Sequence, residues 1–222
     1  MPKKMKRRCF LLVMILIFAL IPSGCSENEE QLQEGLTDPD DNFSFVGYWV
    51  QLNDYDSYMN LYAGGKGDRD GSAVSYSFNE NYFTIGNSWE TMSARYWYQD
   101  KLLFLEDMDS GRVYIYVNID NANQRDLDAT LYRGGSEYMY GSWSSIDGNY
   151  RFKMYKNEDG EGIEYNLPID EESRGDGYKY WSGYIEMKGK RQFDFYPIND
   201  NETYIFCYGD KDLYLMEREN EG

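Results

Sequence analysis

Hydrophobic residues follow two different patterns along this chain. An unbroken apolar run covers Cys9–Ile21, directly after a basic segment, Lys3–Arg8. After residue 43 the apolar residues instead form short stretches that glycine, asparagine and aspartate interrupt. Such stretches, with little helical periodicity, are typical of β-strands joined by turns. The pattern therefore predicts an all-β body behind an apolar N-terminal segment.

The body contains two successive sets of candidate strands. The first set is Phe45–Leu52, Tyr58–Ala63, Ala73–Phe78, Tyr82–Gly86, Ser93–Gln99, Leu102–Glu106, Arg112–Asn118 and Leu127–Arg133. The second set is Met139–Ser144, Tyr150–Tyr155, Gly162–Leu167, Tyr178–Lys188, Arg191–Pro197, Thr203–Tyr208 and Asp212–Glu217. Turn signals separate them, at Gly64-Gly65, Asp70-Gly71, Asp147-Gly148, Asp159-Gly160, Lys188-Gly189-Lys190 and Gly209-Asp210. Short strands joined by tight turns are typical of an antiparallel barrel or sandwich.

Alternation within one strand indicates how it is covered. Val113, Ile115 and Val117 share one face of this strand. Tyr114 and Tyr116 share the other face, because successive side chains of a strand point to opposite sides. Apolar and aromatic residues on both faces predict a strand that is covered on both sides, or that faces a cavity or a partner.

The two sets of strands begin and end alike. Gly47-Tyr48-Trp49 begins the first set and Gly141-Ser142-Trp143 begins the second. Each set closes on an apolar segment that ends in charge, at Ala129–Arg133 and at Leu213–Arg218. A recurring pattern of this kind predicts duplicated units. The units are either two tandem β-modules, at 43–135 and 139–220, or the halves of one larger barrel.

The repeated Gly-x-Trp motif and the Asp159-Gly160 turn resemble those of lipocalin-like β-barrel modules in bacterial secreted lipoproteins. The resemblance covers most of residues 43–220 as a pattern. It implies that Trp49 and Trp143 belong to the structural core, where they plug the closed ends of two barrels. It also implies that Arg218 matches the late arginine of that family.

The residues before the body form a separate region. The basic start, the apolar run and the small pair Ser23-Gly24 before Cys25 are typical of a secretory signal peptide. The cysteine makes residues 1–24 resemble a bacterial lipoprotein signal, which implies that Cys25 carries lipid. A transmembrane span is the alternative, but it needs about 20 apolar residues. The acidic segment 25–42 predicts a flexible linker, so we expect a lipid-anchored body outside the cytoplasm, in the cell envelope or on the cell surface.

Charge and composition exclude several function classes. The net charge of −17 disfavours binding to nucleic acid and to anionic headgroups. The chain has no histidine, so it lacks the commonest general base and the commonest zinc ligand. Cys9 lies in the signal peptide and Cys25 is the lipid attachment residue, which leaves Cys207 without a disulfide partner. We expect Cys207 to be a buried structural thiol, because no cationic residue is adjacent to it.

Aromatic residues supply the candidate ligand-binding site, because they combine a large contact area with a polar tip. The candidates lie in two predicted strands and are Tyr96, Trp97, Tyr98, Tyr180, Trp181 and Tyr184. Ordinary strand packing is the alternative, since the chain contains 23 tyrosines and its aromatics therefore mark no single site.

Carboxylates supply the alternative chemistry. Pairs such as Glu106 with Asp107, or Glu186 with Asp194, suit glycoside hydrolysis, but no spacing distinguishes one pair among 39 acidic residues. The acid-glycine turn Asp68–Gly71 lacks the downstream glutamate of an EF-hand and is interpreted as a solvated hairpin turn. We therefore expect no metal, no cofactor and no enzymatic activity.

These observations predict a non-catalytic, lipocalin-like body that binds a small apolar molecule, a glycan or an envelope protein, and no nucleic acid. The alternatives are a structural or assembly lipoprotein that docks another envelope protein, and a carboxylate-based glycosidase. A continuous aromatic-lined cavity would favour ligand binding, and filled barrels with an exposed apolar patch would favour a scaffold. Two facing carboxylates roughly 5–9 Å apart would favour a glycosidase.

Overall fold

The computed structural model describes residues 43–132, 136–158, 160–169, 177–181 and 183–219. Within these residues the chain is mostly antiparallel β-sheet with one α-helix, and its strands form two separate sheets. The predicted signal peptide, Cys25 and the predicted linker lie outside the described residues. In the part of the chain described, no helix is both long and apolar enough to cross a membrane.

The first eight strands form a closed barrel in which each strand pairs with its neighbours in sequence order. They are β1 (Gly47–Gln51), β2 (Asp54–Tyr62), β3 (Lys66–Arg69), β4 (Ser72–Phe78), β5 (Tyr82–Gly86), β6 (Thr91–Gln99), β7 (Leu102–Asp107) and β8 (Val113–Asn118). The barrel closes because β8 pairs with β1, in a register that places Asn118 opposite Trp49.

The next eight strands form a second, curled sheet with the same succession of pairs. They are β9 (Gly141–Ser145), β10 (Arg151–Asn157), β11 (Gly160–Tyr165), β12 (Tyr178–Trp181), β13 (Tyr184–Met187), β14 (Lys190–Asn199), β15 (Glu202–Cys207) and β16 (Asp212–Arg218). The sheet order is β11-β10-β9-β16-β15-β14-β13-β12, so β16 pairs with β9 as β8 pairs with β1. Two tandem antiparallel sheets confirm the predicted all-β fold, which is lipocalin-like in its eight-stranded barrel. One larger barrel is excluded.

Each sheet encloses its own hydrophobic core, and one tryptophan occupies the same position in both. The indole N–H of Trp49 donates to the carbonyl of Phe45 at 2.8 Å, and that of Trp143 donates to Met139 at 3.1 Å. Large side chains fill both interiors. The fully buried ones include Phe83, Tyr116, Met59 and Leu61 in the barrel and Phe152, Phe193 and Phe195 in the second module.

A third core joins the outer faces of the two sheets. Val113, Ile115 and Val117 of β8 belong to this inter-module core, whereas Tyr114 and Tyr116 contact the core inside the barrel. The prediction that this strand is covered on both sides is therefore confirmed.

The second module contributes aromatic side chains to the inter-module core. The ring of Phe206, on β15, lies 6.0 Å from that of Phe104 on β7 and 6.4 Å from that of Trp97 on β6. Phe206 and Phe104 are both almost fully buried. Because burial of apolar surface is worth about 25 cal/mol per Å², this core stabilises the two modules against each other.

The strand predicted at Leu127–Arg133 is wrong, because the structure has a helix, α1 (Gln124–Leu131), in its place. The side chain of Asn123 caps this helix by accepting the backbone N–H of Asp126 at 3.0 Å. An N-cap asparagine satisfies a backbone donor that has no partner within the helix. Ala129 is fully buried in the inter-module core, so α1 packs between the sheets.

Two other predicted elements differ from the structure. The predicted turn Asp68–Gly71 begins within a short strand, β3, which pairs with β2 and β4. Tyr178–Lys188 was expected as one strand, but it forms the hairpin of β12 and β13. The turn of this hairpin includes Gly183, whose φ of +88° is a conformation that favours glycine.

Candidate functional site

Turns from both modules meet at one polar cleft, which we call the inter-module cleft. Its volume is about 680 Å³, within the roughly 300–1,000 Å³ of small-molecule sites. The barrel contributes Glu106 from β7 and Ser110 and Gly111 from the turn after it. The second module contributes Ile169, Gly189, Lys190, Arg191, Tyr208, Gly209 and Lys211.

Arg191 lines the cleft and is held from two sides. Its guanidinium lies 3.7 Å from the centre of the Tyr184 ring and forms an ion pair with Asp194. Asp194 lies on β14 opposite Tyr184 and is 2% exposed. A carboxylate this deeply buried is tolerated only when it is paired and hydrogen-bonded. The pair therefore fixes the orientation in which Arg191 faces the cleft.

Tyr208 connects this buried carboxylate to the barrel. Its hydroxyl donates to Asp194 at 3.0 Å and accepts the backbone N–H of Val113 at 3.2 Å. The hydroxyl of Tyr196 lies 3.5 Å from the same carboxylate oxygen. Because Val113 belongs to the barrel, the network links the two modules directly beneath the cleft.

The protonation states of the network follow from its burial. Burial raises the pKa of Asp194 above its ordinary value of 3.8, although the Arg191 guanidinium and the Tyr208 hydroxyl oppose the rise. Burial also raises the pKa of Tyr208, and the Asp194 carboxylate adds to this effect. Burial lowers the pKa of Arg191, but the attraction of Asp194 outweighs it and the net direction is upward. Tyr208 therefore stays a protonated donor at neutral pH.

A second ion pair crosses the cleft between the modules. Lys211 Nζ lies 2.7 and 2.8 Å from the two carboxylate oxygens of Glu106. Beside this pair, Gln99 donates from its side chain to Asp212 at 3.2 Å. Lys211 has a φ of +59°, which is uncommon for a residue other than glycine, so the backbone of the turn that carries it is constrained. The cleft walls are thus joined by charged and polar contacts.

The six aromatic residues predicted as ligand contacts are not brought together in one site. Tyr96 and Tyr98 pack against the barrel core, with the ring of Phe43 4.5 Å from that of Tyr98. Trp97 lies between them in sequence and faces outward, where it stacks on Phe104 at 4.9 Å in the inter-module core. These three residues act in packing on opposite faces of β6.

In the other predicted strand, Tyr184 lies beside the inter-module cleft, where its ring supports Arg191. Tyr180 and Trp181 lie in β12, and their side chains are outside the described residues. Tyr184 is the member of the predicted set whose described contacts connect it to the cleft.

The other residues that the sequence suggested as candidates have contacts typical of structural roles. Asp68 accepts the backbone N–H of Gly71 at 3.0 Å, as turn-forming carboxylates do, and Asp70 accepts that of Tyr58 on β2 at 2.7 Å. Cys207 is fully buried in the core of the second module, and burial raises its pKa. Across the described ranges, no three histidine, cysteine, aspartate or glutamate side chains are grouped so that they could hold a metal ion.

Sequence reasoning named Glu106 and Asp194 only as members of other carboxylate pairs, and it missed Arg191, Tyr208 and Lys211. The structure instead pairs each of the two acids with a cation. Alternation along β14 contained a signal for Asp194, since a single acid stands there between phenylalanines in a run of buried residues. The partner of such an acid on another turn cannot be read from local spacing.

Comparisons with protein-family models, with curated proteins and with solved structures find no match to this chain. The fold and the inter-module cleft therefore carry the functional argument alone.

Proposed function

We propose that this chain is a non-catalytic, lipid-anchored protein of the bacterial cell envelope that binds a neutral glycan in the inter-module cleft. The observation that carries the proposal is the pairing of charges on both walls of the cleft. Lys211 is paired with Glu106, and Arg191 with Asp194, so donors and acceptors stand side by side, and Lys190 adds a further donor. Sugar hydroxyls each donate and accept hydrogen bonds, and they match such a surface better than an apolar or a highly charged ligand does.

The filled interiors favour the cleft over the barrels as the ligand site. Trp49, Tyr116 and Phe83 occupy the space in which a lipocalin-like barrel would hold an apolar ligand. Filled barrels also agree with the alternative of a scaffold. The cleft favours ligand binding over that alternative, because its polar groups converge from turns of two modules.

The carboxylates at the cleft support a non-catalytic role. Both oxygens of Glu106 accept hydrogen bonds from Lys211, and Asp194 is buried beneath Arg191. A glycosidase needs one carboxyl group that protonates the leaving oxygen and another that faces the sugar ring. Lys211 engages both oxygens of Glu106, and Asp194 is too deeply buried to face a sugar ring, so neither acid suits these roles.

The lipoprotein assignment is supported by the sequence and by the repeated Gly-x-Trp geometry. Cys25 follows a segment typical of a secretory signal. Gly47 and Gly141 both adopt positive φ at the start of their modules, two residues before the equivalent tryptophans. We infer that two lipocalin-like modules were joined in tandem and carried to the envelope by lipid on Cys25.

The test is a binding titration of the purified full chain with neutral polysaccharides, namely α- and β-glucans, a mannan and a xylan, with alginate and a fatty acid for comparison. Ser110→Trp fills the cleft without removing either ion pair, because Ser110 lines the cleft and is exposed. Ser77→Trp makes the same change at an exposed position on the outer face of β4 and is the matched control.

We expect at least one neutral polysaccharide to bind wild type and Ser77→Trp equally, and to lose at least tenfold in affinity for Ser110→Trp. Binding of the fatty acid or of alginate alone would overturn the assignment of a neutral glycan. Binding that survives in Ser110→Trp would remove the cleft from the proposal. Thermal unfolding of each variant shows that any loss of affinity is not a loss of folding.

A further inference from the structure

One end of the barrel combines exposed apolar side chains with the point at which the N-terminal part of the chain arrives. This N-terminal end is formed by the segment 43–46, the β2–β3 turn, the β4–β5 turn and the residue that follows β8. Register defines it, because Gly47 lies opposite Leu61 and the backbone N–H of Ile119 donates to Tyr48 at 3.0 Å. The hydroxyl of Tyr76 donates to the Tyr62 carbonyl at 2.7 Å and joins the β2–β3 turn to β4.

Four large hydrophobic side chains are exposed at the N-terminal end of the barrel. They are Val46 (42% exposed), Tyr62 (50%), Tyr82 (37%) and Ile119 (39%). A crevice of about 330 Å³ lies at the same end and is lined by residues 43–46, Ala63, Tyr76 and Phe78. Exposed apolar side chains grouped at one place mark interaction surfaces, whereas single ones are normal.

The chemistry of this end fits the interface of a lipid bilayer. Tyrosine is enriched at the level of the headgroups, where its ring is buried and its hydroxyl stays hydrated. Tyr62 and Tyr82 supply such side chains beside neighbouring turns, and Val46 and Ile119 add aliphatic surface where β1 and β8 meet. Lys66, the first residue of β3, and Lys101, on the β6–β7 turn, lie at the same end, where long basic side chains can reach headgroups.

The segment between Cys25 and residue 43 indicates which surface covers this end of the barrel. Residue 43 is here, and Cys25 precedes it by the linker predicted at residues 26–42. A flexible linker of that length spans roughly 20–25 Å, at about 5–6 Å multiplied by the square root of its length. A lipid on Cys25 therefore favours the N-terminal end of the barrel as the end nearest to the bilayer.

The opposite end of the barrel also carries exposed apolar residues, among them Trp89 at 93% exposure and Met108 at 52%. Its surroundings differ, because the β5–β6 turn at residues 87–90 contains no lysine or arginine, and Asp107 and Asp109 flank Met108. Acidic turns are repelled by anionic lipid, and the linker would have to pass along the whole barrel to bring this end to the bilayer.

We propose that the N-terminal end of the barrel docks on the membrane surface, with Tyr62, Tyr82, Val46 and Ile119 in the headgroup region. This inference rests on the lipid anchor in the proposed function, but not on glycan binding. It places the inter-module cleft away from the bilayer, because the cleft includes the β7–β8 turn at the opposite end of the barrel.

The test is quenching of tryptophan fluorescence by brominated acyl chains in vesicles of phosphatidylcholine that carry the lipidated chain. Tyr62→Trp reports on the N-terminal end, and Tyr55→Trp, at 47% exposure near the start of β2, is the matched control at the opposite end. Each signal is taken as the difference from wild type. Native Trp89 is measured as the difference between wild type and Trp89→Phe.

We expect brominated lipid to remove more than half of the signal added by Tyr62→Trp, and less than a tenth of the signals from Tyr55→Trp and Trp89. Equal quenching at both ends, stronger quenching of Trp89, or no quenching at either end would overturn the proposal. Hydrogen exchange of wild type gives a second measure, since the turns at 62–66 and 78–82 should exchange more slowly on vesicles than in detergent.

A separate measurement distinguishes failure of the lipid anchor from failure of the docking. Mass spectrometry of the N-terminal peptide shows whether Cys25 carries lipid, and a chain without lipid that does not float with vesicles overturns both the anchor and the docking. A lipidated chain that floats without quenching at position 62 overturns the docking alone. Neither result affects the glycan titration, because that experiment measures binding to the inter-module cleft of the purified chain.

Discussion

The guanidinium of Arg218 lies 4.4 Å from the centre of the Trp143 ring, and Asn118 occupies the corresponding position opposite Trp49. Both residues stand near the end of the last strand of their module. Arg218 also donates to the backbone carbonyls of Tyr140 at 2.8 Å, Tyr138 at 2.6 Å and Asp200 at 2.9 Å. The two modules thus share one closing arrangement, and the second depends on a cation for it.

Arg218→Met should lower the free energy of unfolding by about 2–3 kcal/mol, because a hydrogen bond to a charged group is worth about 1.5–3 kcal/mol and partly buried carbonyls lose their donors. Urea unfolding measures the change. Arg151→Met is the control, since Arg151 is 74% exposed and its pair with Glu219, at 3.6 Å, is worth at most about 1 kcal/mol. Equal effects of the two substitutions would show that Arg218 is an ordinary surface residue.

The glycine of the second Gly-x-Trp motif should not tolerate alanine. Gly141 has a φ of +123°, and a Cβ there would lie 2.8 Å from Nη1 of Arg218. Gly148 has a φ of +73° with nothing within 4 Å, so alanine there meets backbone strain alone, about 1–2 kcal/mol. Gly141→Ala should therefore destabilise the chain more than Gly148→Ala in the same urea experiment. A smaller effect at Gly141 would argue against close packing of Arg218 over the motif.

The stability of wild type should fall relative to that of Asp194→Asn as the pH rises above 3.8. Burial raises the pKa of Asp194 in the folded chain, so the unfolded chain loses this proton first and unfolding becomes relatively easier between the two pKa values. Unfolding of both proteins across the acidic range measures the difference, in which the titration of the other acids cancels. A difference that changes in the opposite direction would mean that the attraction of Arg191 exceeds the effect of burial.

Asp147→Asn provides a control of opposite sign. The Ser145 hydroxyl and the backbone N–H of Asn149 lower the pKa of Asp147 in the folded chain. Wild type should therefore be more stable than Asp147→Asn at pH values above the pKa of Asp147 in the unfolded chain. This advantage should be lost as the pH falls. The same slope for Asp147 and Asp194 would indicate a global effect of charge rather than two local ones.

Phe206→Ala should uncouple the unfolding of the two modules. Phe206 is fully buried on the outer face of β15, where it meets Phe104 and Trp97 of the barrel. Truncation of a buried phenylalanine costs about 3–5 kcal/mol, and here the loss falls on the inter-module core. Calorimetry should show one transition for wild type and two for the variant, whereas Phe206→Leu, which keeps most of the volume, should retain one. A single transition in Phe206→Ala would show that the modules are coupled elsewhere.

The strands were largely predictable because alternation and turn residues are local signals. Tyr114 and Tyr116 on one face of β8, with valine and isoleucine on the other, were enough to predict cover on both sides. The helix α1 was missed because its segment was matched to the close of the second set of strands, where Leu213–Arg218 also ends in charge. Its start signal, Asn123 with Asp126 three positions later, is short and was outweighed by that likeness.

The inter-module cleft was less predictable, because its members are far apart in sequence. Glu106 meets Lys211 and Tyr208 meets Val113 only after two sheets pack by their outer faces. No spacing rule connects those positions, and nothing local distinguishes Glu106 and Asp194 from the many other acidic residues of the chain. Tyr96 and Tyr98 were predicted as ligand contacts from composition, but in the structure they pack against the barrel core.

Hydrogen exchange with and without the glycan that binds tests the central claim most directly. The account predicts slower exchange at the three turns that line the inter-module cleft, residues 109–112, 188–191 and 209–211, and unchanged exchange at the β9–β10 turn, residues 146–149. Protection at the N-terminal end of the barrel instead, at residues 62–66 and 78–82, or protection that is the same in Ser110→Trp, would contradict the assignment of the cleft as the binding site.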